Sequence, residues 1–432
     1  MKEIKSFSMT TSSAVQRPER APFKAWMVWL VASLFYLYEM VLRVSPSVMT
    51  EGLTQDFHVS ATSLGVLVSF YYFAYVPLQV PCGLIVDKFG TRKIVTLSTL
   101  ICILGTYLFA ESQNLWLAQI GRFLIGAGSA CAFISCLKVS AEWFRPHQFA
   151  LVAGLSNMMG TLGSTFAGRP LATLVQNYGW RPTTLMLATA GFLVAIMSWF
   201  CIQDNPTPTE QEKHDAPKLW PSLQEVVKNK QIWLAAVVGG FMYLPISAFS
   251  ELWAVPFLIN TYQINSELAS TANVMLFLGM AIGGPIAAWL AKYCQNYVKV
   301  MRLSALATAV LFTAIACAQW LPLNIMFVIL LLAGMTIGGQ VLCFTCAKNN
   351  TSHEISGTTV AFTNAIVMMS GVIFQPLLGL ILDMAWDGKI SAAGHRIYSE
   401  SNYQIAILAV PICLFASAFI LRWVKDSYST EE

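Results

Sequence analysis

Long apolar runs separated by short polar turns recur along the whole chain. Their spacing predicts twelve helices: 25–48, 60–83, 93–111, 115–143, 147–174 and 182–202, then 232–258, 266–291, 298–319, 322–347, 355–382 and 402–424. Each run is about as long as the roughly 20 helical residues that cross a hydrocarbon layer, and none alternates like the strands of a membrane barrel. The expected fold class is all-α and integral to the membrane, with twelve transmembrane helices in two six-helix bundles. A polar stretch rich in Pro, Glu and Lys separates the sixth run from the seventh, and Gln224 to Lys230 within it reads as a short surface helix. The expected organisation is a tail at 1–24, a bundle at 25–202, a linker at 203–231, a bundle at 232–424 and a tail at 425–432. The first run is full length with no small-residue cleavage site after it, so no removable signal peptide is expected.

The two sets of runs repeat each other with an offset slightly above 200 residues. Phe57-His58-Val59 matches Tyr262-Gln263-Ile264, and Pro81 matches Pro285. Asn157 and Pro170 match Asn364 and Pro376, while Gly128, Cys136 and Lys138 match Gly338, Cys346 and Lys348. Four matches in chain order, with a slowly drifting offset, point to an internal duplication.

Between the second and third runs stands Gly83-Leu84-Ile85-Val86-Asp87-Lys88-Phe89-Gly90-Thr91-Arg92-Lys93. It reads as a gating latch. Gly83 would let two helices approach closely, Gly90 would allow a tight reversal, and Asp87 would pair with Arg92 or cap a helix, with Lys93 beside them. This G-x-x-x-D-x-x-G-x-R/K spacing resembles the loop signature of the major facilitator superfamily. Arg122-Phe123-Leu124-Ile125-Gly126-Ala127-Gly128 resembles the R-x-x-x-G-x-G signature of that family's fourth helix. Gly154, Gly160, Gly163 and Gly168-Arg169-Pro170 are similar to its glycine-rich fifth helix, and Gly179-Trp180-Arg181 to the entry of the sixth. The resemblance implies two pseudo-symmetric bundles with a solute site between them near the midplane, and alternating access as the mechanism. The second latch departs from the pattern, since Ala291 stands where an Asp would be.

Composition agrees with a membrane protein: 56% of residues are hydrophobic and only 11% charged, against roughly 25% charged in soluble domains. Eighteen Lys and Arg fall in loops and tails on the side of the chain's start, and three (Arg181, Lys389, Arg396) on the other. By the positive-inside rule both termini are expected in the cytoplasm, and a bacterial inner membrane is the expected location. The net charge of +4 therefore reports topology and not nucleic-acid binding. Cys343 and Cys346 form a lone C-x-x-C, which reads as packing and not as a metal site. No H-E-x-x-H, G-x-S-x-G or phosphate loop is present, His353-Glu354 included, so neither an enzyme nor a cofactor is expected.

Charges inside apolar runs cost about 2.5 to 3.5 kcal/mol each on insertion scales, which singles out those that remain. Glu39 and Arg43 lie four apart on one face of the first helix. At about 1.5 Å per residue, Glu39 and Arg122 reach similar depths in the outer half. Apolar burial and a neighbouring guanidinium pull Glu39 in opposite directions, so it reads equally as a proton-coupling group or as one side of a static pair with Arg43 or Arg122. Glu251 lies at a similar depth on the seventh helix. Lys138 and Lys348 occupy equivalent positions on the fourth and tenth helices, and read either as an inner anion site or as side chains reaching to the interface. Arg43, Arg122, Lys138 and Lys348 against Glu39 and Glu251 would leave the cavity at about +2, favouring an anionic or zwitterionic solute. Tyr38 and Tyr243, with Tyr36, Tyr71, Tyr72 and Tyr75, supply hydroxyl donors on the same helices.

Trp143-Phe144-Arg145-Pro146 and the Asn157 to Pro170 stretch resemble the organic-anion:proton symporter branch of the family. Arg122-Phe123 and Leu162-Gly163-Ser164-Thr165 also resemble its lysosomal dipeptide-transporter branch, although Ser129, Ala130 and Met159-Gly160 stand where that branch carries charges. The expected function is secondary transport of a small polar solute, with a proton as the coupling ion and the lipid bilayer as the surroundings of a monomer. A dipeptide or amino-acid carrier of the same family, or a nutrient sensor built on its scaffold, is the alternative.

Overall fold

The computed structural model describes residues 23–204, 219–317, 321–352, 355–391 and 394–426. The tail before residue 23, most of the linker and the last residues of the chain, for which two tails and a linker are expected, lie outside the described residues. Among the described residues there are twelve membrane-length helices: α1 (Phe23–Val48), α2 (Ala61–Phe89), α3 (Thr91–Glu111), α4 (Leu115–Trp143), α5 (Pro146–Phe166 continued by Arg169–Tyr178) and α6 (Trp180–Cys201), then α7 (Lys230–Tyr262), α8 (Ser266–Cys294), α9 (Tyr297–Ala316), α10 (Leu323–Lys348), α11 (Ser356–Ala385) and α12 (Glu400–Ile420). Eleven are long and apolar enough to cross a membrane by length and composition; α5 is the twelfth, broken at Ala167-Gly168. The helix in the linker runs Leu219–Lys228.

The duplication reaches the backbone. His58 and Gln263 both end a helix in the left-handed region, at φ 50° and 52°. Two residues later, Ser60 and Asn265 each cap the next helix by accepting from a backbone N–H, of Ser63 and Leu268. Side-chain caps of this kind satisfy amide groups that a helix start leaves without partners.

Within the first six helices α3 packs on α4 and α6, and α1 on α5; within the second six α8 packs on α10 and α7 on α11. The halves meet chiefly along α2 and α11, and again at α5 with α8 and α1 with α7. The α2–α11 seam is close because of glycines. A Cβ at Gly65 would lie 2.5 Å from the Gln375 carbonyl oxygen, and one at Gly379 would lie 2.3 Å from that of Ala61.

Two expectations about the latch need correction. The segment Gly83 to Phe89 is helical and closes α2; only Gly90, at φ 84°, makes the turn. Gly83 does not serve a close approach, since a Cβ there would meet nothing within 4 Å.

Candidate functional site

The site begins with a break in α1. Pro46 has no N–H to offer the Leu42 carbonyl one turn earlier, and the helix tightens into a 3-10 turn over Ser45–Val48. A bare carbonyl inside a membrane must find another donor. The Leu42 oxygen receives two, the Ser45 hydroxyl at 2.9 Å and the Arg122 guanidinium at 3.0 Å. Arg122 also donates to the Val68 carbonyl at 3.5 Å and lies 5.3 Å from the centre of the Tyr71 ring. Its place is thus a clamp joining α1, α2 and α4.

One turn upstream, Glu39 and Arg43 part company. The pair expected from their spacing is not formed. Glu39 is buried and accepts from the Tyr71 hydroxyl, and its second oxygen has no hydrogen-bond donor among the described residues. Arg43 instead crosses to the other half, with its Nε 3.1 Å from a Glu251 oxygen; the two side chains are 4% and 1% exposed. The same guanidinium donates to the hydroxyls of Tyr72 at 2.9 Å and Tyr243 at 3.2 Å, and to the Met368 sulfur at 3.2 Å. Tyr72 in turn donates to Glu251. The rings of Tyr71, Tyr72 and Tyr75 stand 5.2 to 5.8 Å from the guanidinium carbon, a cage of π-faces suited to a cation.

Glu251 is delivered by a distortion of α7. Pro245 opens a π-helical stretch, Pro245–Trp253, whose wider turn takes carbonyls out of the α-helical register. Amides from neighbouring helices satisfy two of them: Asn273 donates to the Ser250 carbonyl at 2.8 Å and Gln375 to that of Ser247 at 2.7 Å. Trp253 returns a bond to the Gln375 carbonyl at 3.1 Å. Asn273 and Gln375 escaped the sequence reading, although an amide in an apolar run is itself a signal of a distorted neighbour.

Other candidates sit elsewhere. Tyr38 is buried within the first half, where its hydroxyl would meet a Cβ placed on Gly191 at 2.5 Å, so it does not face α7. Lys138 is not a cavity cation: its ammonium lies 2.9 Å from Asp87, 3.7 Å from Glu142 and 2.9 Å from the Val86 carbonyl. Lys348, exposed at the end of α10, does not enter the centre either. Helical register turns both away, and the expected surplus of +2 becomes two guanidinium groups, Arg43 and Arg122, against two carboxylates, Glu39 and Glu251.

Asp87 is therefore the latch partner of Lys138 and not of Arg92. Arg92 donates its backbone N–H to Asp204 at 3.0 Å and rests its guanidinium 4.4 Å from the Trp199 ring, while Lys93 is exposed. A Cβ on Gly90 would strike the Asp204 carboxylate at 2.6 Å. Apart from Asp204, at the start of the linker, these contacts lie within the first half, on the face where α1 begins.

On the opposite face the halves are tied together. Asp383 of α11 caps the start of α2, accepting from Thr62 N–H at 2.9 Å and its hydroxyl at 2.5 Å, and also receives Arg396 at 3.0 Å and Tyr398 at 2.5 Å. Arg169 of α5 lies 3.7 Å from Glu267 of α8. A cap across two helices holds only while they stay together, so that face is closed here.

Comparison with known proteins agrees with the fold. The family model described as Major Facilitator Superfamily matches residues 28–376. The hexuronate transporter of Bacillus subtilis (strain 168) is 22% identical over 92% of this chain and 93% of its own. A probable galactarate/D-glucarate transporter of the same organism is 20% identical over 90% of each. Among solved structures, a bacterial homolog of the human lysosomal transporter Spinster, inward-facing and unoccupied, superposes with a TM-score of 0.75 at 15% identity, covering 93% of this chain and 97% of that one.

Proposed function

The chain belongs to the major facilitator superfamily of membrane transporters, and from that premise we propose that it carries a small organic anion by alternating access, together with a proton. The observation that supports this reading is the Arg43 guanidinium, buried between the two halves and held by groups from both. A planar, permanently charged fork is the side chain best matched to a carboxylate. The names of the relatives, a hexuronate transporter and a probable galactarate/D-glucarate transporter, favour sugar acids as the class. Rocking of the halves would open the Asp383–Thr62 face and expose Arg43 to the other side. The basic bias of the loops supports cytoplasmic termini in a bacterial plasma membrane.

The test is a thermal-shift series on the purified protein with sugar acids, neutral amino acids and dipeptides. At least one sugar acid is expected to raise the melting temperature, and the neutral amino acids and dipeptides to leave it unchanged; stabilisation by dipeptides alone would overturn the anion reading.

In this reading Asp87 and Lys138 stiffen the gate of the first half. Asp87 is 68% exposed, and an exposed ion pair is worth about 0.2 to 1 kcal/mol. Asp87→Asn is therefore expected to leave the protein folded and monodisperse and to slow initial uptake by about two- to fivefold. Unchanged flux would remove Asp87 from gating.

A further inference from the structure

We infer that Glu251 is an internal substitute for the solute's carboxylate: it holds Arg43 when no solute does, and gives it up, protonated, to a solute bearing a single carboxylate. One proton then moves with one anionic group, and transport is electroneutral. This rests on the anion-transport reading above and adds to it a solute valence and a coupling residue.

Three observations lead here. The first is chemical. Glu251 already has what a bound carboxylate would want, a guanidinium at 3.1 Å and the Tyr72 hydroxyl, with the Tyr243 hydroxyl on the same guanidinium. A solute carboxylate can gain those partners only by displacing this one.

The second is that one guanidinium is on offer. Both terminal nitrogens of Arg122 are committed to backbone carbonyls, and withdrawing them would weaken the repair of the break at Pro46. One displaceable partner makes room for one carboxylate.

The third is mechanical. Glu39, Tyr71 and Arg122 all belong to the first six helices, so their contacts travel together when the halves rock. The Glu251 bridge spans the halves and must change. A coupling group has to meet different surroundings in the two states, and of the two central carboxylates Glu251 alone is so placed.

Charge then sets the stoichiometry. Glu251 faces Arg43 and Glu39 from α1, Tyr72 from α2, Arg122 from α4 and Tyr243 from its own helix, while α8 and α11 bring Asn273 and Ser370 against the same turn, neither of which titrates. Two guanidinium groups and two carboxylates sum to zero. A solute carboxylate adds one negative charge to a buried site, and a proton on Glu251 cancels it. That proton comes from water on the entry side, forms an O–H bond to Glu251, and returns to water on the release side as the carboxylate settles back on Arg43.

The test uses the full-length protein in proteoliposomes, with glucuronate (one carboxylate) and galactarate (two) as probes. An imposed pH gradient is expected to drive glucuronate accumulation. A clamped potential of about 100 mV is expected to leave it unchanged, whereas one uncompensated charge would shift it roughly fiftyfold. Galactarate is expected neither to accumulate nor to compete. Glu251→Gln is expected to lose accumulation under the pH gradient while still exchanging labelled for unlabelled glucuronate. Potential-driven accumulation, galactarate transport equal to that of glucuronate, or a Glu251→Gln protein that still concentrates solute would each overturn the inference and leave anion transport standing. If neither anion moves, the anion reading itself fails and the inference with it.

Discussion

Arg43→Ala is expected to cut initial uptake by about a hundredfold or more, the largest functional effect of any single substitution here. Removing one partner of a buried, hydrogen-bonded charge pair costs about 3 to 5 kcal/mol, since the other charge stays buried alone. Glu251 would be that charge, 1% exposed and left with Tyr72 as its donor. Arg43→Lys separates charge from shape. An ammonium keeps the +1 but cannot reach a carboxylate, two tyrosine hydroxyls and the Met368 sulfur from one planar group. It is expected to fold normally and still lose about tenfold or more. Initial rates normalised to the monodisperse fraction decide this, and near-normal uptake in Arg43→Lys would reduce Arg43 to a generic positive charge.

Gly126→Ala is expected to lower stability through packing alone, with no charge involved. A Cβ there would lie 1.9 Å from the Tyr71 carbonyl oxygen, which is backbone and cannot rotate away, so α4 must move off α2. Overpacking of this kind costs about 1 to 3 kcal/mol. The displaced stretch carries Tyr71 and Tyr72, so transport is expected to fall with stability. Gly83→Ala is the matched control, because a methyl group at Gly83 meets nothing within 4 Å and alanine is the better helix former by about 1 kcal/mol. Gly126→Ala should lower the melting temperature and Gly83→Ala should hold or raise it. The reverse order would contradict the packing described for α2 and α4.

The helices, the duplication and the turn at Gly90 were legible because each is a local property: apolar length, recurrence along the chain, a residue that tolerates positive φ. Partner choice was not local. Spacing on one helix suggested Glu39 with Arg43, yet Arg43 found a carboxylate on α7 and Glu39 a hydroxyl on α2. Equivalent positions suggested that Lys138 and Lys348 face a common cavity, yet the register of α4 brings Lys138 to Asp87. The sequence did hold two unread clues. Pro46 stands four residues after Leu42, which predicts an orphaned carbonyl in the membrane, and a buried Arg122 is its natural donor. Likewise Pro245, followed by Ser247, Ser250 and Glu251, marked the distorted turn that Asn273 and Gln375 now hold.

The most direct test is a structure of the protein determined with glucuronate bound. The expected result is a solute carboxylate within about 3 Å of the Arg43 guanidinium and beside Tyr72, with Glu251 withdrawn from it. Glucuronate seated elsewhere, with the Arg43 to Glu251 bridge intact, would contradict the central claim.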